Sequence, residues 1–94
     1  LVVVANRAGY RNAMADCSCA LENMMLAAFS LDVGSCWINQ LHWLDDNPAV
    51  RAALESWGLG ADETVCGALA LGYPAEGAVP KAEGDRGGNP VTYV

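Results

Sequence analysis

The chain has 94 residues, of which 53% are hydrophobic and 17% are charged, and its formal net charge is −6. This length allows one small domain, and the composition is too apolar for an intrinsically disordered chain. The acidic balance argues against a nucleic acid as partner, because such binding needs clustered Lys and Arg opposite the phosphates.

The first predicted elements are a strand and a long helix. Residues 1–5 form a continuous, mostly β-branched run, which is typical of a strand buried on both faces. A polar turn region follows at 6–12. Residues 13–31 then contain neither Gly nor Pro and are rich in Ala, Leu and Met, so they predict a helix.

This predicted helix carries apolar residues on nearly every side of its axis. They are Leu21, Met24, Met25, Leu26, Ala27, Ala28 and Phe29. A helix that is apolar all round is a buried helix, and so short a chain has too little material to cover it completely. We therefore expect another chain, or a further part of this one, to supply the missing cover. The apolar stretch at 20–31 is shorter than the ~20 residues of a membrane span, so no membrane is expected as partner.

Three further elements are predicted before residue 75. A glycine stop at 32–34 leads into a short strand at 35–38. Asn47 as N-cap and Pro48 at the first helical position begin a second helix, which Gly58 ends. Its apolar side consists of Val50, Leu54 and Trp57.

A turn at 60–63 precedes the long apolar run at 64–73, whose small residues allow another backbone or a flat ligand to approach closely. This run is predicted to be a central strand. A loop is predicted at 75–88 and a last strand at 91–94. The element order indicates a mixed α/β or α+β layer structure. Because both ends are β-prone runs, we expect the 94 residues to be part of a longer chain.

The inventory of reactive side chains is poor. His42 is the only histidine, and Cys17-Ser18-Cys19 lacks the spacing of a zinc knuckle, so no metal site is predicted. A nucleophile paired with His42 is possible in principle, but a packed or half-exposed histidine explains its apolar neighbours better. Four cysteines without a signal peptide indicate reduced, buried thiols in a cytoplasmic protein: Cys17, Cys19, Cys36 and Cys66.

The paired acidic residues are also interpreted structurally. Asp45-Asp46 and Asp62-Glu63 stand beside helix starts or turns, where solvated carboxylates complement free amides. Gly58-Leu59-Gly60 lacks the third glycine and the preceding strand of a dinucleotide-binding loop. No catalytic residue is therefore predicted, and any enzymatic activity would depend on a cofactor.

Two segments carry a recognisable pattern: GSCWINQL at 34–41 and GLGADETVCGALALGYP at 58–74. Together they resemble the C-terminal part of the FMN-dependent nitroreductase family. The family's order of a long buried helix, a glycine turn, an amphipathic helix, a basic loop and a final strand is similar to the order predicted here. The resemblance implies an α+β, nitroreductase-like mixed sheet with a long buried central helix, of which residues 1–94 are the C-terminal part.

The resemblance also implies a cofactor site. By position it assigns Trp37, Ile38, Asn39 and Gln40 to the isoalloxazine ring of FMN, with backbone amides near N5 and O4. It assigns Lys81 and Arg86 to the FMN phosphate. Core packing is the alternative for Trp37, and a solvated linker is the alternative for Lys81 and Arg86, which are separated here by the partly acidic segment 82–85.

The implied function is an FMN-dependent NAD(P)H oxidoreductase that reduces nitroaromatics, quinones or similar small acceptors. The implied partner is a second copy of the chain, because members of the family are homodimers with FMN at the interface. The alternative is a non-catalytic, dimerising member that has lost FMN, for which the inserted segment at 82–85 is the best support. A third hypothesis is a specialised flavin chemistry such as reductive dehalogenation.

Overall fold

The computed structural model describes residues 1–79 together with Gly88 and Thr92. The elements, in chain order, are β1 (Val2–Arg7), α1 (Ala13–Ser30), β2 (Gly34–Ile38), α2 (Gln40–Trp43), α3 (Pro48–Ser56) and β3 (Glu63–Gly72). The predicted last strand at 91–94 and most of the predicted loop at 75–88 lie outside the described residues, apart from 75–79, Gly88 and Thr92. Helices and an antiparallel sheet confirm the α+β class.

The sheet has the strand order β1-β3-β2, so β3 is central, as its apolar run predicts. Both neighbours are antiparallel to it. β1 pairs along β3 from Val2 opposite Leu69 to Arg7 opposite Glu63, with a shift in register between Val4 and Ala5. β2 is shorter and accompanies only residues 68–72 of β3. Beside residues 63–67, no described strand lies on that edge.

The prediction that β1 is buried on both faces is wrong for the described chain. Residues 2–6 are only half-buried, and β1 lies at the edge of the described sheet. Its β-branched residues were interpreted from composition alone, and composition does not show how many neighbours a strand has. The strand also continues to Arg7, two residues beyond the predicted end.

Helix α1 packs on the sheet along a single stripe. Its buried residues are Ala13, Cys17, Leu21 and Ala28. Leu26 and Phe29 point away from this stripe and are 59% and 82% exposed. The helix is therefore not buried within the described chain, although its sequence is that of a buried helix. The expectation that something else covers it stays a prediction.

The end of α1 differs from the prediction in its chemistry. The left-handed position is Asp32, with φ of 56°, and not Gly34, which begins β2. The amides of Asp32 and Val33 donate to the carbonyls of Phe29 and Ala28, so the last turn is closed by backbone bonds. Asp adopts the left-handed region more easily than most residues, which explains how it replaces a glycine here.

Helix α3 begins as predicted. The Oδ1 atom of Asn47 accepts hydrogen bonds from the amides of Ala49 and Val50, and Pro48 is the first helical residue. This arrangement satisfies amides that have no partner inside the helix. On the apolar side of α3, Leu54 is buried whereas Trp57 is 64% exposed.

The four cysteines are free thiols, but they are not all buried. Cys17 and Cys66 lie together in the core with Ala13. Burial and the adjoining Cys17 thiol raise the pKa of the Cys66 thiol to about 12. Cys19 and Cys36 are exposed, so the prediction of burial is wrong for these two. Among the described helices, none is long and apolar enough to cross a bilayer.

Candidate functional site

The residues predicted to face a flat ring form one continuous turn. Trp37 and Ile38 are the last residues of β2, Asn39 precedes α2, and Gln40 is the first residue of α2. The turn 37–40 therefore connects the sheet with a short helix that the sequence did not predict. Lys81 and Arg86, the predicted phosphate ligands, lie outside the described residues.

Trp37 is held by packing on β3. A Cβ atom built on Gly67 would lie 3.0 Å from the indole Nε1 of Trp37 and 3.0 Å from Cδ1 of Leu21. The indole and the α1 side chain therefore meet over Gly67. The small residues of β3 are predicted to admit another backbone or a flat ligand; at Gly67 the structure instead places two of this chain's own side chains. The contact of Trp37 with a cofactor stays a prediction.

The turn and the residue after it present two backbone donors, the amides of Gln40 and Leu41, that no described residue accepts; they are called the unused amides below. Asn39 makes no side-chain hydrogen bond to the first amides of α2. Within the described part of the chain, the amides of Gln40 and Leu41 donate to no other residue. The next amide, that of His42, donates to the carbonyl of Asn39 at 3.1 Å. Helix-start amides such as these need an acceptor from water, a ligand or another part of the protein.

His42 joins α2 to β3. Its Nδ1 lies 2.7 Å from the carbonyl oxygen of Val65, and the residue is half-buried. Because a carbonyl can only accept, the hydrogen bond assigns the proton to Nδ1. This arrangement confirms the interpretation of His42 as a packed histidine and gives it a defined partner.

Asp45 is not the solvated turn charge that the sequence indicated. Its Oδ2 accepts hydrogen bonds from the Thr64 hydroxyl at 2.7 Å and from the Val65 amide at 3.4 Å, and Oδ1 forms an ion pair with Arg51 at 3.2 Å. Burial favours the neutral acid, but the bonds from Thr64, Val65 and Arg51 outweigh it and lower the pKa of the carboxyl. The expectation failed because the turn before α3 folds back onto β3.

Arg51 is a structural residue that the sequence analysis missed. Its guanidinium donates to the carbonyl oxygens of Glu63 and Gly60, both at 2.8 Å, in addition to Asp45 and Glu55. The spacing of Arg51 and Glu55 by four residues on a helix was visible in the sequence, but it indicates only their mutual ion pair. The contacts with β3 depend on tertiary structure.

The chemistry available at this site is that of binding. Among the described residues, no group of three or more His, Cys, Asp or Glu side chains could hold a metal ion. The half-buried His42 and Asp45 are engaged with β3. What this segment offers is two amide donors, at Gln40 and Leu41, that have no acceptor among the described residues and follow Trp37 by three and four residues. Amide donors of this kind suit an electron-rich acceptor.

Comparison with known proteins identifies a matching family and a similar solved structure. The sequence model of the Nitroreductase family matches residues 1–73. A crystal structure of a nitroreductase with bound FMN from Bacteroides fragilis aligns with a TM-score of 0.87 and 48% sequence identity, over 98% of this chain and 49% of that one. The chain thus spans about half the length of that solved structure. Comparison with curated proteins gives no match.

Proposed function

Because the chain belongs to the nitroreductase family, we propose that it forms part of an FMN-dependent NAD(P)H oxidoreductase acting on nitroaromatics, quinones or similar small acceptors. The observation that carries the proposal is the pair of amides at Gln40 and Leu41, which have no acceptor among the described residues and closely follow the strand that ends in Trp37 and Ile38. The relative with bound FMN supports the choice of cofactor.

The donor set fits the ring of FMN. When bound, FMN supplies hydride and electron transfer between the nicotinamide and the acceptor. The contribution of this chain is to hold the ring edge with backbone donors that are already in place. The amides of Gln40 and Leu41 need no rearrangement to donate, and fixed donors stabilise developing negative charge more effectively than mobile water.

The phosphate of FMN is assigned to Lys81 and Arg86 on the resemblance alone. A phosphate dianion needs cationic or amide donors, and these two residues are the basic residues of the predicted loop. Substrate choice and the preference for NADH or NADPH depend on parts of the site that these residues do not form.

Binding of FMN to the full-length natural protein tests this proposal. We expect a yellow protein whose flavin absorbance survives gel filtration, and quenching of free FMN fluorescence on titration of the apoprotein. Oxidation of NADH or NADPH with a quinone or nitroaromatic acceptor is expected to follow. A correctly folded protein that leaves FMN fluorescence unchanged would contradict the proposal and favour the non-catalytic alternative.

A second copy of the chain is the proposed cover for the outer face of α1. Leu26, Phe29 and Leu31 are 59%, 82% and 72% exposed. Apolar surface of this kind on a helix marks a protein interface. We expect the protein to sediment as a dimer and Phe29→Glu to shift it to a monomer, whereas Glu22→Gln, on the exposed surface of the same helix, is expected to leave the dimer unchanged.

The proposed location is the cytoplasm. All four cysteines are free thiols, which fits a reducing compartment.

A further inference from the structure

The β2 edge of β3 changes its partner halfway along the strand. Residues 68–72 are accompanied by β2. At Val65, side chains from the segment after β2 take over: His42 Nδ1 lies 2.7 Å from the carbonyl oxygen, and Asp45 Oδ2 accepts from the amide at 3.4 Å. Both backbone groups of Val65 are therefore bound by side chains.

This arrangement fixes the turn 37–40 at both of its ends. At the near end, Trp37 and Ile38 pair with Leu69 and Ala68 of β3. At the far end, His42 follows Gln40 by two residues and is bonded to the same strand. The unused amides of Gln40 and Leu41 lie between these two attachments. Their direction is therefore set by two contacts with one strand.

We propose that His42 is a positioning residue for the cofactor-facing turn 37–40. Its Nδ1 donates to Val65 and thereby holds the amides of Gln40 and Leu41 in the direction needed by the electron-rich edge of the flavin. His42 touches neither substrate nor cofactor in this role. The inference rests on the proposed function, because it assigns the turn to FMN.

The chemistry of the contact defines the informative substitutions. The donor of His42 is the atom two bonds from Cβ, and the amide nitrogen of Asn occupies the same position. His42→Asn can therefore keep the bond to Val65. His42→Leu has a similar branched shape but no donor, so it leaves the carbonyl of Val65 without this partner.

A matched control must destabilise the protein without touching the turn. Asn47→Ala does so, because the Asn47 side chain caps α3 through the amides of Ala49 and Val50, and among the described residues it makes no hydrogen bond with β3 or with residues 37–42. Loss of such a cap is a typical destabilising change. Any effect shared by His42→Leu and Asn47→Ala is one of general stability.

The first measurement needs no cofactor. In the apoprotein, hydrogen exchange is followed at the amides of residue 42 and Leu44, which donate to Asn39 and Gln40 within the same turn. We expect His42→Leu to accelerate exchange at these amides about tenfold, the effect of one lost hydrogen bond. His42→Asn is expected to restore most of the protection, and Asn47→Ala is expected to leave it near the wild-type value.

The second measurement uses the FMN-loaded, full-length protein. We expect His42→Leu to weaken FMN binding about tenfold and to move the midpoint potential of the flavin to a more negative value, because the misplaced amides stabilise the reduced ring less. His42→Asn is expected to restore both quantities. Equal behaviour of His42→Leu and Asn47→Ala, or failure of His42→Asn to restore the potential, would overturn the positioning role.

The outcomes also separate this inference from the proposed function. If the wild-type protein binds no FMN, the proposed function and the flavin-directed role of His42 both fall, whatever the exchange data show. If the wild-type protein binds FMN but His42→Leu leaves the exchange rates, the FMN affinity and the midpoint potential at their wild-type values, the proposed function stands and the positioning role falls.

Discussion

The two halves of β3 are held in different ways on the same edge. Residues 68–72 pair with β2 through backbone hydrogen bonds. Residues 64 and 65 are held instead by side chains, with Asp45 bound to Thr64 and Val65 and His42 bound to the Val65 carbonyl. We call these the ladder half, residues 68–72, and the clasp half, residues 64 and 65.

The two halves of β3 differ in how strongly their attachment depends on particular side chains. Backbone pairing needs only two extended segments, so most side chains are compatible with the ladder half. The clasp half needs a donor at position 42 and a charged acceptor at position 45. It also responds to pH, because one of its members is a carboxylate whose pKa is lowered by its partners.

The largest effect is expected at Gly67, which lies between the two halves. A Cβ here would come within 3.0 Å of both Leu21 and Trp37. Gly67→Val should therefore force α1 and the β2 end apart and lower the free energy of unfolding by about 3 kcal/mol. Urea denaturation of the variant measures this loss.

Gly72 is the matched control for Gly67. It belongs to the same strand, yet a Cβ built on it meets no atom within 4 Å. Gly72→Val, the same substitution, is expected to change the free energy of unfolding by less than about 0.5 kcal/mol. If both glycines tolerate substitution equally, the packing of Trp37 and Leu21 over Gly67 is not what joins the two halves.

Breaking the clasp half at Asp45 has the next largest expected effect. Asp45→Asn removes the charge that pairs with Arg51 and accepts from Thr64 and Val65. Hydrogen bonds to charged groups are worth more than neutral ones, so we expect a loss of about 2 kcal/mol at pH 7. Asp46→Asn, at the exposed neighbouring residue, is expected to have little effect.

The pH dependence of the Asp45 effect has a defined sign. The pKa of Asp45 is lower in the folded protein than its ordinary value. Its stabilising contribution is therefore present above the pKa of the unfolded chain, about 3.9, and is lost as the pH falls through the lower folded value. The difference between wild type and Asp45→Asn in urea denaturation should shrink below about pH 4. A difference that is constant from pH 7 to pH 3 would contradict the assignment.

What the sequence predicted well is local or carried by the family resemblance. The cap at Asn47, the central position of β3 and the length of α1 follow from residue types that act within one element. The clasp half was not predictable in this way. Asp45 was placed in solvent because its partners, Thr64 and Val65, are distant in sequence and no local rule connects them.

Helix α1 is a second case in which the sequence pattern does not show the tertiary surroundings of an element. Its composition predicts a helix that is covered on all sides, and the described chain covers only one stripe of it. Periodicity shows how much of a helix is apolar, but it does not show where the covering surface comes from. For the turn 37–40, the family resemblance predicts which residues face a cofactor. The structure adds two amides without an acceptor among the described residues, and the hydrogen bond of His42 to β3.

A smaller loss of stability is expected at Asn47, whose side chain binds backbone amides of α3 and not of β3. Asn47→Ala removes the cap of α3 and should cost about 1 kcal/mol in urea denaturation. Asn12 precedes α1 in the same position but makes no side-chain cap, so Asn12→Ala is its control and should be nearly neutral. Equal losses would show that residue type at a helix start matters more than the observed bond.

The smallest effect is expected in the ladder half, at Cys36. This residue is exposed, and it pairs with Ala70 through the backbone. Its thiol makes only a long contact of 3.7 Å with the carbonyl of Trp37. Cys36→Ala leaves every backbone group of the ladder in place, so the free energy of unfolding should change by less than about 0.5 kcal/mol. A loss as large as that of Asp45→Asn would mean that side chains, and not backbone pairing, hold both halves of β3. In that case the contrast between ladder and clasp would have no energetic meaning.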